Sequence, residues 1–329
     1  MKVGKLNSDD LKKIIDDNRS IQREDVIIRS GIGEDCSIIN FGDYECIVST
    51  DPITGSHNNI GKLAVHINCN DIASCGVEPI GLLVTILAPE NTTLDNLNDI
   101  MKQIDFEAKK LNVEILGGHT EITTAVNKII VSCTAIGKGK AGKAVPTKGA
   151  KLGDDIVVTK ELAMEGTSII VNDYFDIVKS FLTKSEIEEG RSFIDGISVV
   201  PEGVIAGKFG VNSMHDITEG GVLGALWEMA EASKVGFMVQ KNKMPINKVT
   251  LKICSEFNID PLRFISSGSM LITTEDGKGL VEKLRENGIK SSIIGNITKE
   301  SGVIEDSGVK EKVSPPERDE LFIFIDKIK

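Results

Sequence analysis

Residues 49–79 read STDPITGSHNNIGKLAVHINCNDIASCGVEP, and the predictions for the rest of the chain start from this stretch. The segment that leads into it, residues 44–51, alternates in polarity and is rich in β-branched residues, which predicts a strand. After the Gly/Asn-rich turn, apolar residues recur at the spacing of a helix, at Ile60, Leu63, Ala64 and Ile67. A strand that ends at Asp51 is therefore expected to face a helix.

Lys62, His66 and Asn70 of the predicted helix are four positions apart, so they share one face. Asp71 lies beside that face, close to the strand end at Asp51. Hard cations such as Mg²⁺ take oxygen ligands from a few carboxylates and from substrate phosphates. The stretch indicates such a site, and a solvated helix face beside a strand end is the equally weighted alternative.

The composition narrows the classes of function. The chain has 329 residues, 40% of them hydrophobic, which is enough for two domains with separate cores. Its net charge of -11, from 38 basic and 49 acidic residues, argues against a general binder of nucleic acid or of anionic membranes. No apolar run approaches a membrane span, and the first ten residues carry no apolar signal region, so we expect a cytoplasmic protein.

The six cysteines do not form a Cys-x-x-Cys pair, so neither a zinc site nor a redox pair is expected. Most of them lie in apolar runs, which is typical of buried, reduced thiols. Cys75 precedes a glycine, a position that would allow its thiol to be exposed.

The other N-terminal elements follow from periodicity. We expect a helix over residues 8–18 with Ser8 as its N-cap, and strands over 81–87, 113–116 and 128–135. The strongest helical pattern runs from Leu94 to Leu111, and this helix should cover a sheet.

Two glycine-containing segments carry candidate functional residues. Gly31-Ile-Gly-Glu-Asp-Cys36 places an acidic pair after a tight turn, which is either a second cation-binding arm or a plain turn. Gly117-Gly118-His119-Thr120-Glu121 is expected to follow a strand end, where His119 and Glu121 could bind a ligand or transfer protons. A structural histidine is the alternative.

Residues 137–144, GKGKAGKA, match parts of two nucleotide-binding patterns, and we reject both. A P-loop needs Ser or Thr where Ala144 stands, and Pro146 follows where a helix should continue. We interpret the segment as a flexible basic connection close to a domain boundary near Gly149. The predicted domains are therefore 1–149 and 150–329.

The second half begins with a predicted strand over 155–159. Ser185 and Glu188 fit a capping box, and residues 266–295 fit a βαβ unit. Residues 211–221 predict a strand that breaks at Asp216 and a helix that starts at Gly220-Gly221, whose free N–H groups could receive a phosphate. The apolar run from Leu321 to Ile325 predicts a terminal strand.

Taken in order, five motifs resemble the superfamily of aminoimidazole ribonucleotide (AIR) synthase, thiamine-monophosphate kinase, selenophosphate synthetase and the hydrogenase-maturation dehydratase HypE. The motifs are Gly33-Glu34-Asp35, Ser49-Thr50-Asp51, residues 60–71, Gly117 to Glu121, and Asp216 to Gly221. Each motif is weak by itself, whereas their order over nearly the whole chain is specific.

The resemblance implies a two-domain α/β (α+β) fold similar to that of AIR synthase (PurM). Its N-terminal sheet would form a barrel in a homodimer, and its C-terminal domain would also be α/β. It further implies that ATP is bound with Mg²⁺ and without a P-loop. Asp35, Asp51 and Asp71 would bind the metal, and Lys62, His119 and Glu121 would be catalytic. The nucleotide would be contacted by Gly33, Asp35, Thr50, Asp51, Lys62, Asn70, Asp71, Gly117, Gly118, Asp216, Gly220 and Gly221.

Within the superfamily the sequence most resembles HypE, through residues 60–73, Asp216 to Gly221 and Asp260-Pro261-Leu262. Thiamine-monophosphate kinase competes in the first domain, through residues 31–36, Ser49 to Asp51, and His57. HypE carries its substrate on a terminal cysteine, whereas no cysteine follows Cys254 here, so a self-carried substrate and hydrogenase maturation itself are both in question. His119 stands where HypE and the kinase usually have Asp, so one metal ligand is either missing or replaced by Glu121.

Two hypotheses of function follow. The first is an ATP-dependent enzyme that activates an amide-type oxygen by phosphoryl transfer, with a small-molecule kinase as its variant. The second is a nucleotide-binding accessory protein that has lost turnover. The sequence does not identify the acceptor, which could be a small molecule or protein-borne.

Overall fold

The computed structural model describes residues 4–29, 31–54, 59–316 and 318–328, so His57 lies outside the described part of the chain. The described residues form two mixed α/β halves, and each half is built around its own sheet. Within these ranges, no helix has the length and apolarity needed to cross a membrane.

The first half contains a six-stranded sheet in the order β1-β2-β3-β6-β4-β5, in which β4 and β5 pair in parallel and the other neighbours are antiparallel. In chain order its elements are α1 (Ser8–Asp17), β1 (Val26–Ile28), β2 (Ser37–Asn40), β3 (Tyr44–Ile53), α2 (Ile60–Ser74), β4 (Pro79–Ala88), α3 (Leu94–Leu111), β5 (Glu114–Ile122) and β6 (Ile130–Lys140). The bounds of α3 are those predicted from its periodicity.

The second half contains a seven-stranded sheet in the order β13-β12-β9-β11-β7-β10-β8. Its elements are β7 (Asp155–Thr159), α4 (Met164–Asp173), α5 (Phe175–Val178), α6 (Lys184–Ser192), α7 (Val200–Phe209), β8 (Ser213–Ile217), α8 (Gly221–Ser233), β9 (Gly236–Gln240), α9 (Lys248–Phe257), β10 (Ser269–Thr274), α10 (Gly277–Glu286), β11 (Ser291–Thr298), β12 (Val303–Asp306), β13 (Val309–Lys312) and α11 (Glu320–Ile328). The predicted βαβ unit is β10-α10-β11. Because both of its strands pair antiparallel with β7, they run in the same direction with β7 between them.

The two faces of the N-terminal sheet differ. One face packs against α2 and α3 around a buried apolar core that includes Ile47, Leu63 and Ile104. The opposite face, which we call the outer face, carries Thr50 and His119 at alternate positions of paired strands. Because alternation sends neighbouring residues to opposite faces, Thr50 and its neighbours Ser49 and Asp51 point in different directions.

Three predictions for the N-terminal half need correction. β5 does not end before the paired glycines but continues through them to Ile122, and Gly118 sits where a Cβ would be 1.7 Å from Val84 O. A glycine is therefore required there by the close approach of β4. Residues 137–144 were interpreted as a flexible connection, but residues 137–140 are the last four residues of β6. Cys75 is buried, not near the surface.

Three helix predictions also change. The N-cap of α1 is Asn7, and the capping box of α6 is formed by Thr183 with Glu186, two residues earlier than predicted. The terminal apolar run is the helix α11 and not a strand. Its Leu321 and Phe324 are buried among side chains of α4 to α6 and α9, so the run packs as part of the core.

The helix α2 joins the two halves. Asn70 Nδ2 donates to Ile197 O at 2.9 Å, and Asn70 Oδ1 accepts from the Val199 N–H at 2.8 Å. Gly203 of α7 approaches the same helix so closely that a Cβ would be 2.2 Å from Ala73 O. The alternative that α2 carries a solvated polar face is therefore wrong, because Lys62, Asn70 and Asp71 are all buried.

Candidate functional site

Four aspartates from four parts of the fold converge between the two halves of the chain. Asp51 lies in β3 and Asp71 in α2. Asp35 precedes β2, and Asp216 lies within β8 and not at its end. Asp71 Oδ2 accepts a 2.6 Å hydrogen bond from the Ser49 hydroxyl, which fixes the helix carboxylate against the strand.

Three of the four aspartates have a raised pKa. Burial, followed by the charge of Asp35, raises the pKa of Asp216 to about 7 and that of Asp51 to about 6. Burial raises the pKa of Asp71 well above its ordinary value, and the charges of Asp216 and Asp51 raise it further. A cation placed between these carboxylates would be stabilised by the same charges that repel one another in its absence.

His215 holds one end of this cluster. Its Nδ1 lies 3.2 Å from Asp35 Oδ2, and its Nε2 lies 3.0 Å from Glu228 Oε2. Burial lowers the pKa of His215, but these two carboxylates outweigh burial and raise it well above its ordinary value. Burial acts to raise the pKa of Asp35, and the charged His215 outweighs it and lowers that pKa to about 2.

Lys5 of the N-terminal segment reaches the same cluster. Its Nζ lies 3.4 Å from Glu228 Oε1, and its main-chain N–H donates to Glu219 Oε1 at 2.8 Å. Burial lowers the pKa of Lys5, but Glu228 and Asp35 outweigh it and raise the pKa. The site therefore contains a second positive group beside His215 within the described residues.

The donor atoms fit a divalent cation. Ligand atoms of Asp35, His215 and Asp216 lie within 4.8 Å of one another, and because His215 is charged it would hold Asp35 in place while the two carboxylates bind the cation. Both carboxylate oxygens of Asp216 are buried without a hydrogen-bond partner among the described residues. A buried, unpaired carboxylate is costly unless a cation or a donor binds it, and carboxylate oxygens are the ligands that Mg²⁺ prefers.

A cavity of about 840 Å³ opens beside the carboxylates and extends toward the second half of the chain. Its lining includes Asp35, Asp51 and Asp71 from the first half and Thr218 and Ser267 from the second. A smaller cavity of about 210 Å³ adjoins it and is lined by the segment from Gly31 to Asp35. The larger cavity has room for a nucleotide or for a small-molecule ligand.

Two of the glycines predicted to contact the nucleotide are required by the backbone of the protein itself. Gly33 has a φ of +70°, and a Cβ there would be 2.7 Å from Glu228 O. Gly221 has a φ of +62°, and a Cβ there would be 2.5 Å from Leu262 O. The N–H of Gly220 already donates to Asp319 Oδ2 at 2.7 Å, so this group of the helix start is not free to receive a phosphate.

Lys62 and Asn70, both predicted near the triphosphate, point toward residues 195–199 of the second half. Lys62 Nζ lies 2.6 Å from Asp195 Oδ1 and 4.0 Å from Glu107 Oε1. Neither side chain lines the larger cavity. Their contacts within the described residues therefore join the two halves, and their assigned roles at the nucleotide stay predictions.

His119 and Glu121 lie away from the carboxylates in a single chain. They belong to the outer face, are exposed, and approach each other at 3.3 Å between His119 Nε2 and Glu121 Oε2. Thr50 also belongs to the outer face, where it donates to Cys133 O. The sheet therefore separates these three residues from Asp51 and Asp71, and Gly117 and Gly118 lie on the same exposed strand.

Sequence reasoning missed Lys5, His215, Glu219 and Glu228. A usable signal existed for His215, because an adjacent His-Asp pair inside a short buried strand places two polar groups where apolar ones are expected. Lys5 and Glu228 carried no such signal, since they lie in a terminal segment and in a helix. Only the folded chain brings them to the aspartates.

The sequence profile of the N-terminal domain of AIR synthase related proteins matches residues 33–138, and the profile of their C-terminal domain matches residues 151–306. The chain belongs to the AIR synthase related family. It is 32% identical to a hydrogenase expression/formation protein of Methanocaldococcus jannaschii, covering 94% of this chain and 93% of that relative.

Two further relatives represent different activities within the AIR synthase related family. The chain is 24% identical to the carbamoyl dehydratase HypE of Rhizobium leguminosarum biovar viciae, over 80% of this chain and 77% of the relative. It is 28% identical to the thiamine-monophosphate kinase of Pyrococcus horikoshii, over 72% of this chain and 74% of the relative.

Solved structures of the AIR synthase related family share the fold. The hydrogenase maturation protein HypE in complex with ATP matches with a TM-score of 0.72 and 20% identity, over 84% of this chain and 87% of that one. AaThiL complexed with AMPPCP and TMP matches with a TM-score of 0.77 and 18% identity, over 97% and 98%. These similarities establish the two-domain architecture.

Proposed function

We propose that this member of the AIR synthase related family is an ATP-dependent enzyme that activates an amide-type oxygen of its acceptor by phosphoryl transfer. The proposal draws on its relatives, which include a carbamoyl dehydratase and a kinase, and on the HypE structure that contains ATP. Nucleotide, metal and acceptor are all part of the proposal.

One observation carries the proposal: three of the four clustered aspartates line a large cavity, and the fourth, Asp216, is buried with both oxygens unpaired among the described residues. Asp216 is 1% exposed, so the lack of a partner among the described residues is not relieved by solvent. Asp35, Asp51 and Asp71 would hold Mg²⁺ together with Asp216. When bound, Mg²⁺ neutralises the charge of the triphosphate and of the transferred phosphoryl group.

The chain's own residues would position the reactants. His215 fixes Asp35 from one side, and Ser49 fixes Asp71 from the other. Lys5 has a long cationic side chain and lines both cavities. A phosphate oxygen could replace the carboxylates as the partner of its ammonium group. Phosphoryl transfer depends mainly on such positioning and on neutralisation of charge.

The catalytic roles of His119 and Glu121 would require a second copy of the chain. The outer face that carries them is exposed here, and a partner packed on it could bring these side chains toward a neighbouring cavity. In the proposed homodimer they would act on the partner's nucleotide, whereas Lys62 would act within its own chain by holding the two halves together.

The first test measures the affinity for Mg-ATP by calorimetry. We expect Asp51→Asn and Asp71→Asn each to weaken binding at least roughly tenfold, because a ligand of the metal loses its charge. Asp43→Asn, which changes an exposed carboxylate in the turn before β3, should leave the affinity unchanged. Unchanged affinity in both site variants would refute the assignment.

A second test identifies the reaction class. Formation of ADP and of free phosphate from ATP is measured with a panel of carboxamides and with thiamine monophosphate, the last because of the kinase relative, whose reaction forms ADP but no free phosphate. Release that depends on a carboxamide supports the proposal, and consumption of thiamine monophosphate assigns the kinase activity. ATP binding without turnover on any acceptor would indicate an accessory protein.

A further inference from the structure

The segment that precedes α1 forms part of the wall of both cavities. We call its residues 4–7 the strap. Gly4 and Lys5 line the larger cavity, and Lys5 and Leu6 line the smaller one. Asp35 also lines both cavities. The strap therefore brings a cationic residue to the same walls as one of the proposed metal ligands.

A chain of charged groups of alternating sign connects Lys5 with Asp35. Lys5 Nζ lies 3.4 Å from Glu228 Oε1, and Glu228 Oε2 lies 3.0 Å from His215 Nε2. His215 Nδ1 lies 3.2 Å from Asp35 Oδ2. Burial acts to raise the pKa of Asp35, and His215 and then Lys5 lower it. Burial and the charge of Asp35 raise the pKa of Asp51, and Lys5 acts against them, so the charge of Lys5 reaches both aspartates.

Few contacts hold the strap in place. Among the described residues, the main chain of residues 4–6 makes one hydrogen bond to the rest of the protein, from the Lys5 N–H to Glu219 Oε1 at 2.8 Å. Gly4 packs against Phe322, so that a Cβ there would be 3.3 Å from the ring. The side chain of Lys5 is still 45% exposed. A segment held by so few hydrogen bonds opens at a small cost in free energy.

Two other cationic side chains belong to the described lining of the larger cavity, and both have partners away from the aspartates. Arg318 Nη1 lies 2.7 Å from Asp326 Oδ2, and Lys128 Nζ donates to Thr54 O. Neither acts on the pKa of Asp35 or of Asp51 as Lys5 does. The strap is therefore the part of the cavity wall whose charge opposes a cation at the aspartates.

We propose that the strap is an autoinhibitory contact, in which the Lys5 ammonium supplies positive charge to the aspartates until a divalent cation displaces it. The inference deepens the proposed function and rests on it for the metal site. Two positive charges that share one group of carboxylates repel each other, so the strap and the cation compete for the same countercharge. Binding of the cation therefore releases the strap and opens this wall of the two cavities.

The affinity of the full-length protein for Mn²⁺ alone tests the competition, and the EPR signal of the free ion measures it. Mn²⁺ binds to carboxylates as Mg²⁺ does. Lys5→Met removes the charge and keeps a long side chain, so it should bind Mn²⁺ at least roughly fivefold more tightly than the wild type. Lys5→Arg keeps the charge and should bind Mn²⁺ as the wild type does. An affinity of Lys5→Met equal to or below that of the wild type would overturn the proposal.

A matched control separates the strap from a general effect of charge. Lys128→Met removes the same charge from the wall of the same cavity, but from a residue bound to Thr54 O. Its affinity for Mn²⁺ should differ from that of the wild type by less than about twofold, because salt screens charges that do not face each other closely. An equal gain in Lys128→Met and Lys5→Met would show that the net charge, and not the strap, opposes the cation.

The anchor of the strap is tested with two variants of Glu219 that have the same charge. Glu219→Gln retains an oxygen that can accept the Lys5 N–H, whereas Glu219→Ala does not. We expect Glu219→Ala to bind Mn²⁺ more tightly than Glu219→Gln, because the loss of the hydrogen bond frees the strap. Equal affinities, or tighter binding by Glu219→Gln, would contradict the release of the strap.

Hydrogen–deuterium exchange measures the release itself. Mg²⁺ alone should speed the exchange of the peptide that contains the strap in the wild type, because the hydrogen bond from the Lys5 N–H to Glu219 is lost. In Lys5→Met the same peptide should exchange fast even without Mg²⁺. Slower exchange of the wild-type peptide with Mg²⁺ would mean that the cation recruits the strap, which is the opposite of the proposal.

Binding of Mg-AMPPCP separates this inference from the proposed function. If the wild type binds Mg-AMPPCP but Lys5→Met shows no gain in affinity for Mn²⁺, the strap is wrong and the ATP-dependent function stands. If Lys5→Met gains affinity for Mn²⁺ while the wild type does not bind Mg-AMPPCP, the ATP-dependent function fails and the strap stands. Absence of Mn²⁺ binding in every variant would refute both.

Discussion

Among single residues, the six carboxylates of the candidate site outnumber its described cationic partners, Lys5 and His215. They are Asp35, Asp51, Asp71, Asp216, Glu219 and Glu228. Most of this charge is buried, and the pKa of Asp71 and of Asp216 is raised in consequence. The arrangement therefore favours the binding of a cation.

Asn70 should stabilise the folded protein, because its side chain forms two hydrogen bonds from the first half to the main chain of the second half. Asn70→Ala leaves the Val199 N–H and Ile197 O buried without their partner, at an expected loss of about 2 to 4 kcal/mol in the free energy of unfolding. Denaturation in urea measures the loss. Unchanged stability combined with loss of ATP binding would instead place Asn70 at the phosphates.

Glu165 should make stability depend on pH. Burial raises its pKa to about 7 in the folded protein, against an ordinary value of 4.5, so its contribution to stability is present at low pH and is lost as the pH rises through about 7. Relative to Glu165→Gln, the free energy of unfolding of the wild type should therefore fall by up to roughly 1.4 kcal/mol per pH unit between about pH 4.5 and about pH 7.

The measurement for Glu165 is urea denaturation of both proteins at a series of pH values. Glu161→Gln, which changes a less buried carboxylate of the same segment, is the control. A constant stability difference between the Glu165→Gln variant and the wild type would show that the folded protein does not hold that proton.

At the scale of helices and strands, periodicity predicted elements that bury one face. The helix α3 was correct to the residue because its apolar positions repeat over five turns. The run from Leu321 to Ile325 has no such length, and a short apolar run fits a strand or a helix equally well. Its surroundings, the helices α4 to α6 and α9, decided the outcome.

The candidate site was predictable only where its residues belong to local sequence motifs. Asp35, Asp51, Asp71 and Asp216 lie in local motifs, so the sequence could indicate them as a group. The partners of these residues could not be inferred, because Lys5 and Glu228 are 223 positions apart and meet only through the packing of two sheets. The face that each strand residue occupies also depended on register, as at Thr50.

The helix α11 should be essential to the C-terminal core. Phe324 is fully buried and contacts Tyr174 and Phe257 edge to face, so Phe324→Ala should reduce the free energy of unfolding by about 3 to 5 kcal/mol. Lys327→Ala, which removes only exposed hydrogen bonds to the Phe257 and Asn258 carbonyls, should cost no more than about 1 kcal/mol. Thermal melting of both variants checks the prediction, and similar melting temperatures would contradict it.

For the whole molecule, the outer face of the N-terminal sheet is the surface that we expect to assemble. Leu83 is 41% exposed there, and β5 is an edge strand with exposed Leu116 and Ile122. Exposed apolar residues on a sheet face are typical of an interface between copies. Burial of this face would also place the partner's His119 and Glu121 in a new environment.

Light scattering should therefore give about twice the chain mass of 35.5 kDa at micromolar concentration. Leu83→Glu should shift the protein to the monomer mass, because it places a charge in the proposed interface. Leu94→Glu alters an equally apolar, exposed side chain at the start of α3 and should not. A wild-type monomer would remove any site shared between subunits.

The alternation along β3 has a consequence for how tolerant each position is to mutation. Successive residues of this strand serve different purposes: Ser49 and Asp51 belong to the side of the carboxylates, whereas Thr50 belongs to the side where copies would meet. A saturation library of this strand can be sorted separately for nucleotide binding and for self-association. The positions sensitive to mutation in one sort should alternate with the positions sensitive in the other. Neighbouring codons would then evolve under separate selection.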